Sequence, residues 1–143
     1  MDLKTILNRI DASLNEQKKA LEEKMLKEAL DSFKDCDVTA KQKGDLEKQI
    51  EGFIAVDMAR QAHSFFLSLL HYFRDLHVIY HGGPVGFLVH RHLASRMFDS
   101  ATSKEPLSLE KVEDAIRKAC FAFERSTPLS FCIETLFLRL NLV

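Results

Sequence analysis

The chain has 143 residues, enough for one hydrophobic core and too few for two comfortable ones, so a single domain is expected. Hydrophobic residues make up 46% and charged residues 29%, a globular balance that excludes the weakly hydrophobic, highly charged composition of a disordered chain. A formal net charge of -1 supplies no global positive field for phosphates, which argues against direct tight nucleic-acid binding by this chain.

At the N-terminus, Met1 to Ile10 carries Asp2, Lys4 and Arg9 and lacks the continuous apolar core of a signal peptide. Leu3, Leu7, Ile10 and Leu14 recur at three and four, as do Leu21, Met25, Ala29, Leu30 and Phe33, and both stretches predict helix. The polar run Asn15 to Lys19 interrupts the stripe. Residues 1–37 therefore read as an N-terminal helical arm or linker, and 38–143 as the main helical domain, one compact domain overall. After a turn at Asp35 to Val38, Thr39 with Gln42 three residues on forms a capping box that opens the next helix.

Leu46, Ile50, Phe53, Ala62, Phe65, Leu69, Phe73, Leu76 and Tyr80 then make a long apolar stripe, the expected spine of the core. An unbroken helix from Ala40 to Tyr80 would reach roughly 60 Å at about 1.5 Å per residue, so a kink or break is expected near Gly52 to Asp57. His81-Gly82-Gly83-Pro84 ends it: glycine supplies the left-handed cap and proline prevents continuation. Phe87 to Phe98 predicts a short helix, followed by a polar loop from Asp99 to Pro106. Leu109, Val112, Ile116, Ala119, Cys120 and Phe123 build another, and Thr127 and Pro128 read as the cap and first-turn proline of a last helix, Leu129 to Leu140. The 11 phenylalanines fall mainly at positions read as inward, so most are assigned to the core. No period-two strand and no internal repeat interrupts this pattern. The fold class is all-α, a single bundle of about five or six helices.

Little catalytic chemistry is legible. Gly44, Gly52, Gly82, Gly83 and Gly86 form no phosphate-cradling loop, so no nucleotide cofactor is expected. His77 and His81 stand at i and i+4, one helical face, but a zinc site needs three or four ligands and none has diagnostic spacing; the reading is no metal, with a small metal-binding enzyme or sensor as the rival. Ser126, Thr127 and Ser130 have no recognisable base to activate them. Cys36, Cys120 and Cys132 are an odd number without close pairing, which fits reduced thiols in the cytoplasm, and no apolar run approaches a membrane span. Arg74 and Asp75 lie between Phe73 and Leu76, and charges so embedded need partners, as a structural ion pair or an interface contact.

Four segments in order carry a resemblance: Leu46-Glu47-Lys48-Gln49-Ile50-Glu51-Gly52, then Tyr72-Phe73-Arg74-Asp75-Leu76, then Ala115 to Arg125, then Leu136-Phe137-Leu138-Arg139-Leu140. From about Val38 to Leu140 the chain resembles the C-terminal collar domain of clamp-loader subunits, specifically the delta prime subunit of bacterial DNA polymerase III, in which an aromatic-Arg-Asp-Leu segment ends a long helix. It departs from that pattern at Ser126-Thr127-Pro128, where asparagines are usual, and at His71-Tyr72-Phe73, where a tryptophan is typical. The tau/gamma and delta subunits have related collars. The resemblance implies a non-catalytic oligomerisation domain that packs against the tau/gamma and delta subunits in the ring that loads the sliding clamp during DNA replication, within a DNA-directed DNA polymerase holoenzyme. A helical adaptor outside replication would show the same fold with a different partner. On this reading Arg125, Phe131, Glu134, Leu138 and Arg139 of the last two helices are the interface candidates, and Arg74 and Asp75 orient the central helix.

Overall fold

The computed structural model describes residues 3–33 and 39–142. Its regular elements are all helical: α1 (Leu3–Asp31), α2 (Ala40–Tyr80), α3 (Ala94–Ser103), α4 (Leu109–Glu124) and α5 (Leu129–Arg139), with single 3-10 turns at Val85–Phe87 and Arg91–Leu93. The all-α expectation holds, with no strand among the described residues. No helix there is long and apolar enough to cross a membrane. The turn expected at Asp35 to Val38, including Cys36, lies outside the described residues. The chain divides within α2 into two compact units, Met1–Ala62 and His63–Val143.

In the first unit α1 is continuous through the polar run at Asn15, and its apolar stripe is half-buried with no side chain fully enclosed. Where the run passes, Leu14, Asn15 and Lys18 line an open cleft together with Glu51, Ile54 and Met58 of α2. The capping box that opens α2 forms as read: the Thr39 amide donates to Gln42 Oε1 at 3.0 Å, and the Gln42 amide donates to Thr39 Oγ1 at 3.2 Å. The break expected near Gly52 is absent, since α2 runs as one 41-residue helix. A lone glycine costs a helix only about 1 kcal/mol relative to alanine. Just beyond it, Asp57 accepts from Arg60 at 2.6 Å and from Gln61 at 2.8 Å, one turn along the same face. Those two bonds, Arg60 first, hold the Asp57 carboxyl below the usual carboxylate range.

In the second unit Phe66, Phe73, Leu76 and Ile79 of α2 are buried, together with Met97 and Ala101 of α3, Val112, Ala115, Ile116 and Ala119 of α4, and Cys132, Ile133 and Leu136 of α5. Each large apolar side chain so enclosed contributes about 1.5–3 kcal/mol. The stripe read along α2 is inward in part: Ile50, Ala62, Phe73 and Leu76 are buried, Leu46, Phe65 and Leu69 half-buried, but Phe53 and Tyr80 are exposed, and Ile54 and Phe66 are buried instead. From Phe65 to Tyr80 apolar residues occur on every side of the helix, so period alone does not select a face. The assignment of most phenylalanines to the core also fails. Only Phe66 and Phe73 are buried, whereas Phe33, Phe53, Phe87, Phe98, Phe121 and Phe131 are exposed.

Three helices end in one device, a left-handed residue followed by a six-to-one hydrogen bond. At the end of α2, Gly82 has φ 75° and the Gly83 amide donates to Val78 O at 2.7 Å. At the end of α4, Ser126 has φ 68° and the Thr127 amide donates to Ala122 O at 3.1 Å. At the end of α5, Asn141 has φ 52° and the Leu142 amide donates to Phe137 O at 3.0 Å. Thr127 thus closes α4 and does not cap α5, whose N-cap is Pro128 without a side-chain bond. The helix expected over Phe87 to Phe98 is also displaced, beginning at Ala94 and continuing through the predicted loop to Ser103. Ahead of it Leu88 is extended, φ -75° and ψ 138°, and the Val89 and His90 amides donate to Asp75. Downstream, Thr102 Oγ1 donates to Phe98 O at 2.8 Å and Ser100 Oγ to Arg96 O at 3.2 Å, so the hydroxyls bond within the helix they were expected to end.

Candidate functional site

Helix α5 is apolar on two sides. Cys132, Ile133 and Leu136 face inward, with Leu140 just beyond the helix end also buried. Phe131 and Leu138, seven residues apart and so on one face, remain 60% and 56% exposed, and Leu142, beyond the helix end, is exposed as well. Glu134 is half-buried and Arg139 exposed, one on each flank of that stripe. Opposite α5, the small side chains Ala115, Ala119 and Ala122 of α4 line a narrow groove with Phe131, Thr135 and Arg139. Alanines at that spacing leave room for close approach of the two helices, and Phe131 stands at the rim of their groove with most of its side chain in solvent.

On α4 the exposed Phe121 ring lies under the Arg125 guanidinium, 4.6 Å from ring centroid to Cζ. Two turns earlier, Asp114 accepts from Lys118 at 2.6 Å and from Arg117 at 2.9 Å, and these bonds, Lys118 first, hold its carboxyl below the ordinary range. Asp114, Lys118 and Arg139 share an open cleft with Glu110 and Lys111. Exposed apolar side chains with a mixed-charge rim are the anatomy of a protein-binding surface. Of the residues singled out in the sequence, Phe131, Leu138 and Arg139 come together here with Glu134 at the edge, and Arg125 is engaged with Phe121.

Arg74 and Asp75 occupy a different place. Asp75 is fully buried, with its Oδ2 accepting from the His90 amide at 2.8 Å and its Oδ1 from the Val89 amide and Arg74 Nη1, both at 3.2 Å. Arg74 Nη1 also donates to Phe87 O at 3.1 Å. The pair ties the segment after Pro84 onto α2. Among the described residues no buried side-chain nitrogen or oxygen lacks a partner.

The histidines are dispersed in their roles. His77 and His81 stack at 6.2 Å between centroids, and His77 Nε2 lies 2.6 Å from Leu107 O. His90 Nε2 is 2.9 Å from Ser68 O. His63 stands 3.7 Å from Glu124 and edge-on to Phe123. Among the described residues no three His, Cys, Asp or Glu side chains form a metal-holding group. Burial pushes the Cys120 and Cys132 thiols up, Glu124 adding to the effect at Cys120, so neither is poised as a thiolate nucleophile.

Sequence reasoning missed the exposure of Phe87 and Phe121. The run Gly82-Gly83-Pro84-Val85-Gly86-Phe87 held a signal for the first, since an aromatic among turn-forming residues has no helix to turn inward. No protein-family model, no curated protein and no solved structure matches the chain.

Proposed function

We propose that this chain is a non-catalytic helical assembly domain, a clamp-loader collar of the delta prime type, that docks on the tau/gamma and delta subunits through the outer face of α5 and the adjoining edge of α4. The observation that supports the reading is α5 itself, apolar on two sides and buried on one. A helix apolar on two opposite sides suits two packing partners, and in this reading the second is another chain. Fold alone names no partner; the subunits come from the ordered segments around Arg74-Asp75 and Leu136 to Leu140. In this reading Phe131 and Leu138 are the apolar anchors, Arg125, Glu134 and Arg139 set register from the rim, and clamp loading is the work of the parent replication assembly.

The test is size-exclusion co-elution of the full chain with purified tau/gamma and delta subunits of the same cell. Co-elution that is lost on combined charge reversal, Arg125→Glu with Arg139→Glu, is expected. Co-elution indifferent to both changes would remove α4 and α5 as the interface, and no co-elution at all would remove the clamp-loader assignment.

A further inference from the structure

We propose a second docking site, separate from the α4–α5 face: the turn from Pro84 to Arg91 is a preorganised knob that binds an acidic, apolar-anchored segment of a partner protein. The turn presents Val85, Phe87 and Val89 to solvent, Phe87 being 66% exposed, while Leu88 between them is buried as its root. A loop displaying three large apolar side chains would ordinarily collapse onto its own domain. This one is held out by a set of bonds to its backbone. Asp75 takes the amides of Val89 and His90, Arg74 Nη1 donates to Phe87 O, and Arg91 Nη2 donates to Gly86 O at 2.7 Å. At its start the left-handed Gly82 and the close approach of Gly83 to Val78 fix the exit from α2, and Pro84 stiffens the next step. A surface already ordered loses less freedom on binding, so its contacts convert more fully into affinity.

Charge states the chemistry of the partner. Arg74 and Arg91 both donate to carbonyls of the turn, Arg74 to Phe87 O, Arg91 through Nη2 to Gly86 O and through Nε to Leu88 O at 3.4 Å. Arg74 is already paired with Asp75, so the positive charge offered to a partner is that of Arg91, an exposed residue whose remaining Nη N–H donors suit a carboxylate. From Leu76 to Phe98 the chain has no Asp or Glu, while it has Arg91, Arg96 and four histidines, and Asp75, which precedes this stretch, is buried with its oxygens occupied. An exposed phenylalanine on a turn that also presents an arginine is a composition that concentrates binding energy, and the complementary segment is an apolar residue next to Asp or Glu.

The test uses a phage-displayed library of random 12-residue peptides selected on the immobilised full chain, with selected peptides synthesised and titrated by fluorescence anisotropy. Enriched peptides are expected to pair an apolar residue with Asp or Glu, and to bind about tenfold or more weakly to Phe87→Ser and to Arg91→Glu. Phe87→Ser alters an exposed side chain, so its urea midpoint is expected to match the parent; if Arg91→Glu lowers its own midpoint, Phe87→Ser alone decides. No enrichment, basic peptides, or acidic peptides indifferent to Phe87→Ser would overturn the proposal. So would displacement of the peptide by single-stranded DNA whose binding depends on Arg91 and not on Phe87, which would make the site a phosphate site. Self-association of the parent chain abolished by Phe87→Ser would assign the knob to a second copy and overturn it equally.

Discussion

Replacing Asp75 by alanine removes the acceptor for two backbone amides and the counter-charge of Arg74 in one step. A buried amide left without an acceptor costs about 1–3 kcal/mol. His90 is half-buried and Val89 exposed, so water reaches part of both and the lower half of that range applies. Arg74 is 43% exposed at its side chain and rehydrates readily, adding little. Against these losses stands the relief of a carboxylate taken wholly out of water. The balance is a destabilisation of about 1–3 kcal/mol, a sizeable share of the 5–15 kcal/mol that holds an ordinary domain together. In urea unfolding, with a slope of about 2 kcal/mol per M, the midpoint falls by about 0.5–1.5 M with the slope unchanged. Hydrogen exchange at the Val89 and His90 amides accelerates ahead of exchange in α4. A midpoint loss equivalent to under about 0.5 kcal/mol, the usual range of surface substitutions, would refute the view that Asp75 holds this turn.

Three further outcomes follow from the helix ends and the charged rim. Ser126→Gly relieves a left-handed non-glycine residue and is expected to stabilise by about 1 kcal/mol, read as a raised urea midpoint. Gly83→Ala puts a methyl group 2.6 Å from Val78 Cγ1 and 3.0 Å from Val78 O, and is expected to cost about 1–3 kcal/mol in the same assay. Asp114 has its carboxyl lowered by Lys118 and Arg117, so its contribution is present above the unfolded value of about 3.9 and is lost as pH falls through the lower folded value. The stability difference between the parent and Asp114→Asn is therefore expected to be larger at pH 7 than at pH 3; an unchanged difference would show that these bonds do not hold in solution.

Features with a local cause were legible in the sequence. The Thr39–Gln42 box and the Gly82-Gly83-Pro84 stop each depend on a few adjacent residues, and both form as read. The all-α class followed from apolar spacing over long stretches. What was not legible depends on partners remote in sequence. Periodicity placed Phe53 and Tyr80 inward because it counts apolar residues without knowing which side of the helix is covered. The segment ahead of α3 bonds its Val89 and His90 amides to Asp75, 14 and 15 residues upstream of them, a partner that no local pattern shows. Arg74 and Asp75 stood out as embedded charges, yet nothing local showed that their task is to hold Phe87 outward. For Phe131 and Leu138 the sequence marked the helix, and only burial of its other face left these two in solvent.

The outer face of α5 as a docking surface is the central claim, and Leu138→Glu tests it most directly. Leu138 is 56% exposed, so the change leaves the core intact and the urea midpoint within about 0.5 kcal/mol of the parent. Co-elution with the tau/gamma and delta subunits is expected for the parent chain and lost for this variant. Co-elution retained by a correctly folded Leu138→Glu chain would contradict the claim.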